Sequence, residues 1–184
     1  MYALTLEKSD LAPYLVLKLS DIMQYILYDV RTPYIKLLDE IKYIQHYIDL
    51  ERFRFKEKVQ SETHISGDIE DIYVPPLLFL PFIENCFKHG RSDDNKIEII
   101  IIFKVLNDNR LQFQVSNKIK RPITDENALH KAEKSGIGIQ NVKRRLNLLY
   151  NDQYELYINK KNTKFKVRLT LPFKHTHGTQ MPDN

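Results

Sequence analysis

Within Ile83–Gly90, IENCFKHG, four side chains carry groups that work together in chemistry: Glu84, Asn85, Lys88 and His89. Separations of three and four place Asn85, Lys88 and His89 on one face of a helix, with Glu84 beside it. A carboxylate, an amide, a cation and an imidazole grouped in this way can polarise a water, ligate a metal ion and balance phosphate charge. The same residues also suit a plainer role, because polar side chains often close an apolar helix before a glycine cap, and Gly90 stands where that cap would fall. A second feature lies downstream, in SGIGIQNVKRRLNLLY over residues 135–150, where Gly136 and Gly138 head a helix-periodic run. Glycines there let the backbone approach a ligand closely, and the free N–H groups of a first helical turn attract phosphate. Arg144 and Arg145 add positive charge to that helix. This is not the dinucleotide fingerprint, since the third glycine and the preceding strand are missing, and no Gly-Lys-Ser/Thr of a Walker loop occurs.

The elements that must hold these groups follow from periodicity. Pro75, Pro76 and Pro81 predict a helix that starts late, near Leu78, with Pro81 in or close to its first turn. Leu78, Phe79, Phe82, Ile83 and Phe87 would then supply core. Upstream, Leu11, Leu15, Leu19, Ile22, Ile26 and Val30 form one apolar stripe, and Leu37, Ile41, Ile44 and Ile48 form another. Arg31-Thr32-Pro33 separates them, which predicts two helices in an antiparallel hairpin. Such a hairpin has too little core alone, so its stripe is expected to face a partner subunit or the following domain. Val59–Ser66 reads as an edge strand, and KIEIIIIFKV and LQFQVS read as two strands joined by the turn-forming LNDNR. Residues 118–135 are polar and lack periodicity, and so form a long loop of the kind that is usually either functional or disordered. A helix over Ile137–Tyr150, with Val142, Leu146 and Leu149 on one side, and strands over Tyr154–Asn159 and Phe165–Phe173 complete the pattern. The expected organisation is a helical hairpin over 1–57, a mixed domain over 58–173, and a tail over 174–184 with no core-forming pattern.

Composition narrows the function classes. A chain of 184 residues with 42% hydrophobic and 28% charged residues is ordinary for a globular protein with a real core. The net charge of +4 is modest, and the basic residues are spread among acids, which argues against nucleic-acid binding. No apolar run reaches the roughly 20 residues of a membrane span, and the N-terminal stretch lacks the pattern of a secretory signal. Cys86 is the sole cysteine, which excludes an internal disulfide and suits a reducing, cytoplasmic setting.

These motifs carry a resemblance. ENCFKHG resembles the N-box of the nucleotide-binding fold shared by histidine kinases, gyrase B, certain chaperones and MutL-type repair proteins. SGIGIQNVKRRLNLLY resembles the glycine-rich box that follows the lid of the kinases. With the upstream IKYIQHYIDLERFRF, the pattern is similar to the autolysin-regulator sensor histidine kinases, the LytS/YehU-like branch, from about Leu4 to Phe173. The resemblance implies an α+β fold, a two-layer α/β sandwich of the GHKL type with helices on one face of a mixed sheet, preceded by the helical hairpin. It implies ATP and Mg²⁺ as cofactors, with Asn85 as metal ligand and Glu84 as the acid that orients a water or assists proton transfer. Lys88, His89, Gly136, Gly138, Asn141 and Arg145 match nucleotide-contacting positions. It further implies a response regulator as partner, a homodimer through the hairpin, no nucleic acid, no membrane contact by this segment, and a cytoplasmic place in a membrane-anchored parent.

Two departures from the family pattern stand out. The first glycine box is normally Asp-x-Gly-x-Gly, whereas the equivalent stretch here is VSNKIKRP, so Asn117 replaces the adenine-binding aspartate and both glycines are absent. The phosphoacceptor motif, close to Pro-His-Phe-Leu-Phe-Asn, is expected just upstream of this chain. His46, His64, His130, His175 and His177 lack its flanking residues. Two rival readings remain: an ATPase of the same fold with Glu84 as general base, and a degenerate module that acts only through its hairpin.

Overall fold

The structure is a computed structural model that describes residues 11–28, 32–55, 58–90, 96–119, 137–161 and 163–175. Eleven elements follow in chain order: α1 Leu11–Tyr28, β1 Ile35–Lys36, α2 Leu37–Arg54, β2 Val59–Ser66, β3 Tyr73–Val74, α3 Leu80–His89, β4 Ile97–Val105, β5 Arg110–Lys118, α4 Ile137–Tyr150, β6 Glu155–Lys161 and β7 Lys164–Pro172. Strands β2-β4-β5-β7-β6 form one sheet in that order, with β2 parallel to β4 and every other pair antiparallel. β2 lies at the edge, as its weak alternation predicts.

Alternation along the strands decides which face is covered. Ile97, Ile99, Ile101 and Phe103 of β4, Leu111, Phe113 and Val115 of β5, and Val167, Leu169 and Leu171 of β7 are buried. Their intervening neighbours Glu98, Gln112, Gln114, Lys166 and Arg168 occupy the opposite face, which remains accessible to water. Helices α2, α3 and α4 cover the apolar face with Leu37, Ile41, Ile44 and Ile48, with Phe82, Ile83 and Phe87, and with Val142, Leu146 and Tyr150. This is the expected sandwich, helices on one face of a mixed sheet. Phe79 and Phe113 meet at 4.7 Å between ring centroids, Phe79 and Phe103 at 5.3 Å, and Phe103 and Phe113 at 5.2 Å, so an aromatic knot fastens the start of α3 to mid-sheet. Tilted and edge-on aromatic pairs of this kind add about 0.5–1.5 kcal/mol each beyond burial.

The stripe of α2 faces this sheet, so the core runs continuously from the hairpin into the strands. Helix α1 lies on the outer side of α2, contributing Ile22 and Tyr25 to the same core. A two-stranded ribbon, Ile35↔Val74 and Lys36↔Tyr73, knits the start of α2 to the segment that leads into α3. The N–H of Leu37 donates to the carbonyl of Ile72 at 2.8 Å and completes that tie. Helix α3 starts at Leu80, two residues later than the apolar pattern suggests, with Pro81 in its first turn. Leu77, in the turn ahead of the helix, adopts φ 57°, and Leu78 and Phe79 enter the core before the first helical residue. Of the expected loop over 118–135, Lys118 ends β5 and Ile119 is buried, held by the carbonyl of Thr163 at 2.8 Å; of the expected tail over 174–184, Lys174 bridges to Tyr73, and residues 120–135 and 176–184 lie outside the described residues.

Candidate nucleotide site

Helix α3 carries most of the grouped side chains. Its apolar face is sunk in the core, which turns Glu84 and Lys88 toward water, with Lys88 Nζ 3.6 Å from Glu84 Oε2. This is an i,i+4 ion pair, modest in strength and open to competition from any stronger anion. Glu84 also borders α2, where its charge adds to the burial that pushes the Tyr43 hydroxyl up to about 12 and raises that of Tyr47. Asn85 is 7% exposed, and its Nδ2 is buried without an acceptor among the described residues. A buried amide group left unpaired costs about 1–3 kcal/mol, so its position favours a polar occupant. A half-turn of the side chain exchanges amide oxygen and nitrogen, so the same position can present a ligand oxygen. The His89 side chain lies outside the described residues.

The end of α3 is pressed against β5. A Cβ on Gly90 would stand 2.0 Å from the Cys86 carbonyl oxygen and 2.5 Å from Asn117 Nδ2. Only a glycine admits this approach. Asn117 is 3% exposed; its Nδ2 donates to the Lys118 carbonyl at 2.8 Å, while its Oδ1 is buried with no donor. With Nδ2 bonded to the Lys118 carbonyl, the atom of the amide left without a partner is the acceptor Oδ1. That answers a question the sequence leaves open, since an unanchored amide could turn either way toward a base.

Helix α4 packs against α3, and its first turn holds Gly138, around whose Cβ position no atom lies within 4 Å. Asn141 is exposed. Arg145, half-buried, stands close enough to Glu40 and Tyr150 to oppose the burial that raises the pKa of both, beside the start of α3 rather than its Gly90 end. The structure therefore groups Glu84, Asn85 and Lys88 on one helix and brings Asn117 to that helix's end. Arg145 sits apart from these, and Gly136 lies outside the described residues.

Sequence reasoning missed one group. Glu40 is fully buried, and accepts from the Tyr25 hydroxyl, from Leu77 N–H at 2.9 Å and from Phe79 N–H at 3.4 Å. Burial raises its pKa, opposed by those three hydrogen bonds and by Arg145. A signal was available: Glu40 stands three residues after Leu37 and four before Ile44, an acid inside an apolar stripe.

ATP fits the donors and acceptors present. The free Oδ1 of Asn117 suits the amino group of an adenine, and the orphaned Asn85 amide suits a polar neighbour such as a hydrated cation. Among the described residues no cluster of three or more His, Cys, Asp or Glu stands ready to hold a metal, so Mg²⁺ would depend on Asn85 together with phosphate oxygens and water.

The family comparisons agree with this architecture. Residues 1–59 match the histidine kinase domain family, and residues 71–172 match the GHKL domain family. The chain belongs to the GHKL family, joined at its N-terminal side to a histidine kinase segment. The sensor protein LytS of Oceanobacillus iheyensis is 25% identical over 175 residues, 91% of this chain and 30% of that protein. The sensor histidine kinase BtsS of Escherichia coli K12 is 23% identical over 144 residues, 77% of this chain and 24% of that protein. The chain thus spans less than a third of these relatives. In structure it resembles full-length ShkA, solved in complex with AMPPNP, at a TM-score of 0.57, 14% identity and coverage of 89% of this chain and 36% of that one. It also resembles the histidine kinase AdeS of Acinetobacter baumannii, at a TM-score of 0.54 and 12% identity over 87% of this chain and 77% of that one. At these identities the two structures establish a shared fold.

Proposed function

We propose that this chain is the ATP-binding catalytic portion of a two-component sensor histidine kinase, which passes the γ-phosphoryl group of ATP to a histidine outside these residues for relay to a response regulator. The observation that carries the reading is Asn117: a buried acceptor with no donor, its amide pinned by Lys118 and pressed against Gly90 at the end of the Asn85 helix.

Bound Mg-ATP supplies a phosphoryl group whose transfer depends mainly on positioning and charge stabilisation. Within that chemistry Asn117 accepts from the adenine amino group and so selects an amino-bearing base. As a neutral acceptor it binds about 1–2 kcal/mol more weakly than a charged one. Asn85 holds the metal. Lys88 exchanges its exposed ion pair with Glu84 for phosphate, which frees Glu84 to orient the acceptor imidazole and take a proton from it. His89, Gly136, Gly138 and Asn141 complete the nucleotide-contacting set, the glycines by close backbone approach, while Arg145 stays beside Glu40.

The outer face of α1 supports a homodimer through the hairpin. Val16, Met23 and Leu27, seven and four residues apart, form an apolar seam that is 49%, 53% and 48% exposed. No described helix is long and apolar enough to cross a membrane, so the membrane anchor of the parent protein and the cytoplasmic placement of this part belong to the same proposal.

Calorimetry with ADP, with and without Mg²⁺, on the chain and on Asn85→Ala tests the reading. Binding strengthened by Mg²⁺, with that gain lost in Asn85→Ala, is the expected result. Equal affinity in the two proteins removes Asn85 from the metal, and no binding at millimolar nucleotide removes the kinase.

A further inference from the structure

Glu40 is a carboxylate placed where three elements meet. It projects from α2, yet the groups it satisfies belong to others: the Tyr25 hydroxyl of α1 and the backbone N–H groups of Leu77 and Phe79 in the turn before α3. Phe79 is the N-cap residue of α3 and has no side-chain oxygen to cap the helix, and no side-chain cap bond forms there. A helix N-terminus leaves N–H groups unsatisfied and carries partial positive charge. Glu40 meets both needs from a different helix.

The Tyr25 hydroxyl and the Leu77 N–H share one carboxylate oxygen, Oε2, so the engagement of one donor bears on the other. Tyr25 is otherwise held by its ring, stacked on Tyr43 with centroids 4.3 Å apart. The remaining polar ties of α1 to α2 lie at the surface: Tyr14 to Asp49 at 3.2 Å, Lys18 to Asp49 at 3.9 Å, and His46 to Asp21 at 3.5 Å. Among the described residues Tyr25 alone makes a buried polar connection from α1 into the domain. Through Glu40 of α2 it reaches the turn that leads into α3, the helix that carries Glu84, Asn85 and Lys88.

We infer that Tyr25 and Glu40 are positioning residues, through which the seating of α1 on α2 sets the placement of α3 and with it the Asn85 amide at the nucleotide. The inference rests on the reading of Asn85 as metal-holding. A stiff helix of 10 residues transmits a displacement of its first turn along its length, and Asn85 lies five residues from the start. A hairpin that shifts against itself would thereby alter metal-dependent nucleotide binding without touching the nucleotide.

The test is a double-mutant cycle in the full 184-residue chain, read as the gain in ADP affinity produced by Mg²⁺. Tyr25→Phe keeps the ring stack and removes only the hydroxyl. It is expected to reduce the Mg²⁺-dependent gain about fivefold in the parent chain and to leave it unchanged in an Asn85→Ala background. Glu40→Gln, which retains one acceptor oxygen, is expected to behave in the same way. In a second measurement that needs no ligand, amide hydrogen exchange at Leu77 and Phe79 should quicken in Tyr25→Phe while exchange in β4 and β5 stays as it was. Full Mg²⁺ dependence in Tyr25→Phe, or an equal loss in both backgrounds, overturns the relay and leaves the Asn85 site standing. An Asn85→Ala protein that keeps its Mg²⁺ dependence overturns the site and the relay together. Exchange that quickens throughout the sheet assigns Tyr25 to general stability and also overturns the relay.

Discussion

Replacing Gly90 by alanine probes how closely the end of α3 closes on its own Cys86 carbonyl and on Asn117 of β5. Gly90 has φ −86° and ψ 30°, values open to any L-residue, so the substitution carries no backbone penalty and its cost is steric. The added Cβ would meet the Cys86 carbonyl oxygen at 2.0 Å and Asn117 Nδ2 at 2.5 Å. Relief requires a shift of about 1 Å between Gly90 and the Cys86 carbonyl at the helix end, because a carbon and an oxygen rarely approach closer than about 3 Å, and a smaller one by the Asn117 amide. Neither yields freely, since α3 is wedged by Phe82, Ile83 and Phe87, and Asn117 is bonded to the Lys118 carbonyl. Overpacking of this kind costs about 1–3 kcal/mol. Breaking the Asn117–Lys118 bond adds roughly 0.5–1.5 kcal/mol. A total of about 1.5–4.5 kcal/mol in a chain of this size lowers the melting temperature by roughly 3–18 °C. Gly138→Ala is the control: its Cβ meets nothing, so stability should hold or rise slightly, while nucleotide affinity falls if the backbone there approaches phosphate. Thermal melts followed by ADP titration read both. A Gly90→Ala protein that melts within about 2 °C of the parent would refute the close approach on which the placement of Asn117 depends.

Two further outcomes follow from the same geometry. The folded-state pKa of Glu40 is raised above its ordinary 4.5, so the stability it contributes is fully present below that pH and is lost as pH rises through the folded value; melts across that range should show a fall that Glu40→Gln flattens. Met23→Lys together with Val16→Lys places charge in the seam of α1, and sedimentation should show a shift from dimer to monomer with the melt of the domain little changed; a protein monomeric from the outset removes the hairpin dimer.

Much of the fold was legible because each element states its own period. The alternation in KIEIIIIFKV and the three- and four-residue steps of α2 and α4 follow from burying one face, and they needed no knowledge of neighbours. The start of α3 was less so: an apolar run containing three prolines leaves the boundary to the local backbone, and the turn through Leu77 runs on to Phe79 before the helix begins. Of the site, the grouping of Glu84, Asn85 and Lys88 was readable from spacing on one helix. Glu40 escaped, since an acid in an apolar stripe gives no hint of which distant N–H groups will satisfy it.

By itself the sequence determined the strands, the helices, which side of each would be covered, and the polar cluster along α3, because these depend on residues no more than a turn or two apart. Contacts between residues far apart in the chain were left to the tertiary structure. Gly90 and Asn117 meet only because α3 lies across β5, and beside that contact the Lys118 carbonyl holds Nδ2 and leaves Oδ1 a buried acceptor with no donor. Tyr25, Glu40 and Leu77 meet only because α1, α2 and the turn before α3 close around one carboxylate. The physical reason is common to both: a buried polar atom takes its meaning from its partner, and packing chooses the partner.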